Sequence, residues 1–299
     1  MAKRTTAAAS RDISSRYTIT NGSKFRLSSI DPQETGDLKN RQEGEALLEQ
    51  LLERMSQLQE KLFAQNQWAV LLMFQAMDAA GKNSTIKNVM NGVDPQGCQV
   101  FSFKAPTQQE LDHDYLWRCM KCLPERGRIG IFNRSYYEET LVVRVHQEHL
   151  VHQHLPAKCM TKNIWNERLE DMNAFERYLT NNGIVIRKFF LHVSKDEQRK
   201  RFLERLEEPS KNWKFSAGDV AERGHWDEYQ KAYEQTIRAT GTTRAPWIVV
   251  PADHKWFTRV VVAAAIVRTL ESLDLAFPVL SPERLAELKG SADALRAGE

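Results

Sequence analysis

The feature that most constrains the fold of this sequence is a series of five short apolar runs separated by helix-length segments. The runs are mainly apolar and do not alternate with polar residues, as expected of strands that are buried on both faces. They span residues 69–75, 98–103, 129–133, 184–193 and 247–251. Because parallel strands need long crossovers, the pattern predicts an α/β fold with a doubly wound, parallel five-stranded sheet. Ligands of such sheets bind beyond the carboxyl ends of the strands.

Composition limits the class of protein. A hydrophobic content of 41% in 299 residues is enough for a large core and excludes a wholly disordered chain. The apolar runs are too short to cross a bilayer, and no apolar stretch follows the basic start as in a secretory signal. We therefore expect a cytoplasmic protein without a membrane partner, and we expect its four cysteines to be free thiols.

Charge is unevenly distributed along the chain. Residues 1–30 carry six basic side chains and one acidic one, so the net charge of +3 leaves −2 for the remainder. A body that is nearly neutral has no general attraction for nucleic acid, so any polyanion must bind to a local basic track. We predict a basic N-terminal arm over 1–36, one domain over 37–278 and a C-terminal tail over 279–299.

Leucine and methionine recur with helical spacing between Arg41 and Asn66. This pattern predicts one long amphipathic helix. The helix could pack within one subunit or on a second copy of the chain, and we expect a homo-oligomer.

The first apolar run leads into residues 76–85, AMDAAGKNST, and a helix is predicted over Thr85–Met90. A strand, a loop of small residues, Gly-Lys and a helix form the context in which backbone N–H groups bind phosphate and the lysine, here Lys82, reaches the outer phosphates. The match is imperfect, because Ala76 replaces a glycine and Asn83 replaces a hydroxyl residue. A simple turn with a solvated lysine is the alternative. The predicted phosphate-contacting residues of the loop are Ala79, Ala80, Gly81, Asn83 and Ser84.

Asp78 lies inside this loop, where a carboxylate would repel phosphate unless a cation lay between them. We therefore predict that Asp78 binds Mg²⁺, which accepts one or two protein oxygens together with water and phosphate oxygens. Capping of the turn by the Asp78 side chain is the alternative.

The third apolar run ends at Asn133-Arg134, where phosphate-loop enzymes usually carry an aspartate that faces the metal. The Asn133 amide could orient a metal-bound water but adds no charge. The planar guanidinium of Arg134 suits phosphate oxygens.

A second basic constellation lies within residues 196–216. Arg201 and Arg205 are four residues apart and so share a helix face, and a basic loop with Trp213 follows. The pattern is typical of a lid that closes over phosphates, and equally of a solvated helix with internal ion pairs. Its basic members are Arg199, Lys200, Arg201, Arg205, Lys211 and Lys214.

Six blocks of the sequence resemble, in family order and from about Phe25 to Pro278, those of the polyphosphate kinase 2 family. They are MDAAGK (77–82), NGVDPQG (91–97), SFKAP (102–106), FNRSYYE (132–138), KNWKFS (211–216) and PADHKW (251–256). The fourth and sixth resemble the class III branch of that family. The resemblance implies a phosphate-loop kinase fold akin to thymidylate kinase, with a helical lid at about 205–225. It also implies Mg²⁺-dependent transfer of a phosphoryl group from inorganic polyphosphate to AMP or ADP.

The resemblance assigns roles to individual residues. Asp78 is expected at the metal, Lys82 at the phosphates of the transfer site and Arg134 at the transferring group. Arg201 and Arg205 fall in the basic set of the lid, Lys211, Trp213 and Lys214 on its loop, and Lys104 where the loop after the second strand meets substrate. Asn133 fits the class III pattern, whereas the family usually has aspartate at the position of Asn83.

Two other functions stay open at this stage. One is an ATP-dependent nucleoside monophosphate kinase, which needs a base-binding pocket on the donor side. The other is a phosphate-loop binding protein without turnover, suggested by the uncharged Asn83 and Asn133. The Cys119-x-x-Cys122 pair and the histidines between 146 and 154 give only weak signals of a zinc site.

Overall fold

The computed structural model describes residues 13–298, apart from the side chains of Lys214 and Ala217. Within that range the five predicted parallel strands are confirmed, and one further strand is present. The strands are β1 (Thr18–Ile19), β2 (Ala69–Ala76), β3 (Cys98–Ser102), β4 (Ile129–Asn133), β5 (Ile184–His192) and β6 (Trp247–Pro251). They form one sheet in the order β1-β6-β5-β2-β4-β3, in which only β1 is antiparallel to its neighbour.

The principal helices connect these strands or follow the last of them. They are α1 (Arg41–Gln65), α2 (Lys82–Val89), α3 (Ile164–Asn181), α4 (Lys195–Glu207), α5 (Ala217–Gly224), α6 (Trp226–Thr240), α7 (Lys255–Glu271) and α8 (Pro282–Ala297). Single helical turns occur at Gln108–Leu111, Trp117–Met120 and Val142–Val145. Among the described residues, no helix combines the length and the apolar character that crossing a bilayer requires.

The sheet is covered on both faces, as the doubly wound prediction requires. Side chains alternate along β5: Lys188 contacts Glu176 of α3, whereas its neighbour Arg187 donates to Thr269 of α7. Helices α3 and α6 therefore pack on one face, and α7 packs on the other with α1 outside it. The long amphipathic helix predicted at 41–66 is confirmed, and its buried face packs on α7 of the same chain.

The predicted N-terminal arm is wrong for part of its length. β1 pairs with β6 at the sheet edge, and four apolar side chains beside it lie in the core: Tyr17, Phe25, Leu27 and Ile30. Sequence periodicity missed this segment because isolated apolar residues in an irregular chain have no repeat to detect. Residues 1–12 of the arm lie outside the described part of the chain.

Candidate active site

A cleft of about 650 Å³ opens beyond the carboxyl ends of the parallel strands, at the position that the sheet topology predicts. The cleft is bordered by the loop after β2, by the ends of β3 and β4, by helix α4 and by residues later in the chain than α4. Every predicted site residue lies on this cleft except Lys214, whose side chain is outside the described residues. The lining residues are Met77, Asp78, Ala79, Ala80, Gly81, Lys82, Asn83, Ser84, Ser102, Phe103, Lys104, Asn133, Arg134, Arg201, Glu204, Arg205, Lys211, Trp213, Asp219 and Lys255.

The phosphate loop, residues 77–81, joins β2 to α2. Gly81 has φ = 104°, a backbone conformation that residues other than glycine rarely adopt, and Ala79 is left-handed at φ = 59°. Gly81 is also the N-cap of α2, and as a glycine it has no side chain with which to cap the helix. The first N–H groups of α2 are therefore available to an anion, and the helix dipole favours negative charge there.

Lys82 is the first residue of α2, and its side chain turns back toward the strand. Its Nζ donates one hydrogen bond, 2.8 Å long, to the Ala76 carbonyl. Burial and, second to it, the nearby Arg134 guanidinium lower the pKa of Lys82 to about 8, although the Asp78 carboxylate acts in the opposite direction. The lysine has no ion-pair partner within the described part of the chain, so its charge is available to a ligand.

Arg134 bridges two carboxylates at the end of β4. Its Nη2 lies 3.2 Å from Asp78 Oδ1, and its Nη1 lies 3.1 Å from Glu138 Oε2. Glu138 raises the pKa of Arg134 above its usual value, and Asp78 adds to this effect. The two residues that the sequence assigned to metal and to phosphate thus contact each other directly.

Asn83 and Asn133 form a direct hydrogen bond across the cleft floor. The Nδ2 of Asn133 donates to Asn83 Oδ1 at 2.7 Å and to Ser102 Oγ at 3.4 Å. This bond uses one of the two lone pairs of the Asn83 carbonyl oxygen, and the amide offers a metal no negative charge. An aspartate at position 83 could keep the same bond through one oxygen and present a second oxygen with negative charge.

The opposite wall of the cleft carries the predicted lid residues. Arg205 lies 3.8 Å from Asp219 of α5, and Lys211 pairs with Glu208. Trp213 lines the cleft although its side chain is 79% exposed. Arg201 borders the same wall but is only 3% exposed, because its guanidinium contacts backbone carbonyls below the surface.

Sequence reasoning missed several lining residues, and Lys255 is the most informative of them. It follows β6 as the first residue of α7, it is exposed to the cleft, and no carboxylate lies within ion-pair distance of it among the described residues. Burial of part of the side chain and the charges of Arg201 and Lys211 lower its pKa. Its position in the PADHKW block, at a strand end, was the signal that could have identified it.

The weak zinc signals have no support in the described part of the chain, where no three histidine, cysteine, aspartate or glutamate side chains are grouped to hold a metal ion. All four cysteines are free, as expected. His146 instead contacts Glu222 of α5 at 3.0 Å.

Comparison with known proteins gives a consistent result. The family description "Polyphosphate kinase 2 (PPK2)" matches residues 38–277. The chain is 53% identical to an ADP-polyphosphate phosphotransferase of Rhodopseudomonas palustris over 81% of this chain and 84% of that protein. It is 44% identical to an AMP/ADP-polyphosphate phosphotransferase of Meiothermus ruber over 91% and 97% of the two chains.

Among solved structures, polyphosphate kinase 2 from Arthrobacter aurescens TC1 superposes with a TM-score of 0.84 and 40% identity, over 92% of this chain and 95% of that one. The family match covers the five parallel strands, the phosphate loop and every described side chain of the cleft. The chain therefore belongs to the polyphosphate kinase 2 family.

Proposed function

We propose that this protein transfers a terminal phosphoryl group from inorganic polyphosphate to AMP or ADP, giving ADP or ATP. The observation that carries the proposal is the cleft itself, in which Lys82, Asp78 and Arg134 meet at a phosphate loop that ends in the glycine N-cap of α2. The names of two relatives support both the donor and the acceptors, since one is an ADP-polyphosphate and the other an AMP/ADP-polyphosphate phosphotransferase.

The reaction needs positioning and charge neutralisation rather than a nucleophilic side chain. A phosphate oxygen of the acceptor is already ionised near pH 7, so it can attack the terminal phosphorus of the donor while the bond to the rest of the chain breaks. In this proposal Lys82 and the N–H groups of α2 bind the phosphates. Arg134 exchanges its ion pairs with Asp78 and Glu138 for contacts with the transferring group. Preorganised donors of this kind stabilise charge that develops in the transition state.

Asp78 is the residue that would hold a divalent metal, which we propose to be Mg²⁺. One of its oxygens contacts Arg134, and the other has no hydrogen-bond partner in the described part of the chain. A single carboxylate fits Mg²⁺, because this ion usually takes its other ligands from water and phosphate. When bound, the ion would neutralise charge on the phosphates.

We place the polyphosphate donor along the wall that carries Lys211 and Lys255, and the nucleotide acceptor toward Lys104. The lid prediction puts Lys214 and Trp213 on the donor side as well. A linear polyanion needs a series of cations leading away from the transfer site, and Lys255 extends that series beyond Lys211. The division of residues 37–299 into domain, lid at 205–225 and tail, the homo-oligomeric state and the cytoplasmic location stay predictions.

The decisive experiment measures ATP formation from ADP and polyphosphate, with Mg²⁺ and with EDTA. Rapid, metal-dependent ATP formation is expected. Competition between ATP and polyphosphate as donors to AMP tests the nucleoside monophosphate kinase alternative, which requires ATP to be the better donor. Binding of both ligands without any turnover would instead favour the binding-protein alternative suggested by Asn83 and Asn133.

The donor track has its own test. Replacing Lys211 and Lys255 together by methionine should raise the KM for polyphosphate several-fold more than the KM for AMP. Lys200→Met is the matched control, because Lys200 is an exposed lysine of α4 outside this cleft. An equal loss for both substrates would mean that this wall is a general lid rather than a polyanion track.

A further inference from the structure

Arg201 is a buried arginine whose donors are all used inside the protein. Its Nε donates to Glu197 at 2.8 Å. Its Nη1 donates to the carbonyls of Ala79 and Ala80 at 3.2 and 2.8 Å, and its Nη2 to those of Ala252 and Asp253 at 2.6 and 3.0 Å. A guanidinium has five N–H donors, so none is left for a phosphate.

A second buried side chain of α4 extends this arrangement by one residue. Gln198, which is 1% exposed, donates through Nε2 to the Asp78 carbonyl at 3.0 Å. Its own carbonyl oxygen accepts from Arg223 of α5 at 2.8 Å. Three consecutive carbonyls of the phosphate loop are therefore bound by one helix face.

The contacts fix the direction of the loop peptides. The C=O and N–H of a trans peptide point in opposite directions, so the Ala80 carbonyl on Arg201 turns the Gly81 N–H away from α4. The same contact supports Ala79, whose left-handed backbone costs about 1 kcal/mol or more for a residue with a side chain. Without these bonds, the loop would lose a constraint that keeps its N–H groups available to an anion.

We propose that Arg201 is a positioning residue. Together with Gln198 it forms a carbonyl clamp that holds residues 78–80 in the anion-binding conformation before any ligand arrives. Arg201 does not itself contact phosphate, unlike Arg205 one turn later, whose partner in the described protein is Asp219. This changes the role predicted from the sequence, and its consequence for catalysis rests on the proposed function.

Amide hydrogen exchange of the ligand-free protein tests the clamp directly. Arg201→Lys keeps the charge but cannot reproduce four carbonyl contacts. The hydrogen-bonded amides of Ala80, which donates to the Met77 carbonyl, and Thr85, which donates to the Gly81 carbonyl, should therefore exchange at least about fivefold faster. The matched control is Arg199→Ala, because Arg199 is an exposed arginine of the same helix. Unchanged exchange in Arg201→Lys would overturn the clamp.

The salt dependence of polyphosphate binding separates positioning from direct contact. Each cation that contacts a linear polyanion contributes roughly 0.7–0.9 to the slope of log K against log salt. Arg205→Ala should lower the slope by about that amount, whereas Arg201→Gln should weaken binding about tenfold with the slope unchanged. A slope in Arg201→Gln that falls as in Arg205→Ala would make Arg201 a phosphate ligand and overturn the proposal.

Two further measurements keep the test independent of folding and of the proposed activity. If Arg201→Gln unfolds, Gln198→Leu removes only the Asp78 carbonyl bond and should still speed exchange of the loop amides. If the wild-type protein binds polyphosphate but makes no ATP, the proposed function fails, and the exchange and slope comparisons still decide the role of Arg201.

Discussion

Two lysines, one half-buried and one fully buried, show how similar chemistry leads to different roles. Lys82, in the phosphate loop, and Lys188, in the centre of β5, both have a lowered pKa with burial as the largest cause. Lys188 is fully buried, and its Nζ donates to Glu176 at 2.6 Å, to the Thr240 carbonyl at 2.7 Å and to Tyr137 Oη at 3.1 Å. Among the described residues, Lys82 donates only to the Ala76 carbonyl.

The two ammonium groups differ in how many of their N–H donors have a partner in the protein. An ammonium has three N–H donors, and Lys188 uses all of them on protein atoms. Lys82 uses one, has no carboxylate at ion-pair distance in the described protein and borders an open cleft. A saturated buried charge contributes to structure, whereas an unsaturated one at a cleft is available to an anionic ligand.

The largest effect is expected from Lys82→Ala. It should lower kcat for ATP formation by about 10³-fold, because it removes a cation placed where charge develops in the transition state. The free energy of unfolding should change by less than about 1 kcal/mol, since the side chain is only partly buried. Initial rates and urea unfolding measure the two quantities.

Lys87→Ala is the control for that variant, because Lys87 is an exposed lysine of the same helix. Near-normal turnover in Lys82→Ala would contradict the phosphate-loop assignment. An equal loss of rate in both variants would point to a general effect on α2.

The second prediction concerns Lys188, for which we expect a loss of stability. Lys188→Met leaves the Glu176 carboxylate buried without its cation, so it should lower the free energy of unfolding by about 3–5 kcal/mol. Adding Glu176→Gln should restore more than half of that loss. Urea titrations of the single and double variants give both values, and a loss below about 1 kcal/mol in the single variant would show that Glu176 is compensated elsewhere.

The third prediction adds charge next to Lys82. Asn83→Asp should raise kcat about tenfold at saturating Mg²⁺, equivalent to about 1.4 kcal/mol of barrier, because a second carboxylate completes a metal site. In EDTA the same charge should weaken polyphosphate binding by repulsion. The hydrogen bond from Asn133 can be retained, so no loss of stability is expected.

Asn91→Asp is the matched control, since it adds the same charge at an exposed position outside the cleft. Initial rates across a Mg²⁺ titration measure the effect. A maximum rate in Asn83→Asp that is equal to or below that of the original protein would show that Asn83 does not impair the site.

The smallest effect is a pH dependence. A lysine with a pKa of about 8 is charged below that pH and neutral above it. Polyphosphate affinity of the metal-free protein should therefore fall about threefold between pH 7.5 and 8.5, whereas a lysine with an ordinary pKa near 10.4 would give no change. Isothermal titration calorimetry at several pH values measures this, and Lys82→Met should abolish the decrease. A decrease of equal size in Lys82→Met would assign it to another group.

Much of the candidate site could be predicted from the sequence because the signals are local. The five parallel strands and the long helix follow from runs and repeats of apolar residues, and their bounds agree with the structure within about one residue. The phosphate loop is contiguous, so its residues are neighbours in the chain as well as in space. The short strand β1 could not be predicted, since its pairing with β6 joins residues more than 200 positions apart.

By itself, the sequence determined the sheet, the phosphate loop and the set of basic residues that surrounds the cleft. Only the tertiary structure decided which charges are available there. Arg201 and Arg205 share a sequence pattern, yet one is saturated by backbone carbonyls and the other faces the cleft. In the sequence, Lys188 is a charged residue within the apolar run of β5. Only the structure shows that the Glu176 carboxylate pairs with it in the core. The physical reason is that a side chain's role depends on how many of its donors the fold has already satisfied, and those partners come from distant segments of the chain.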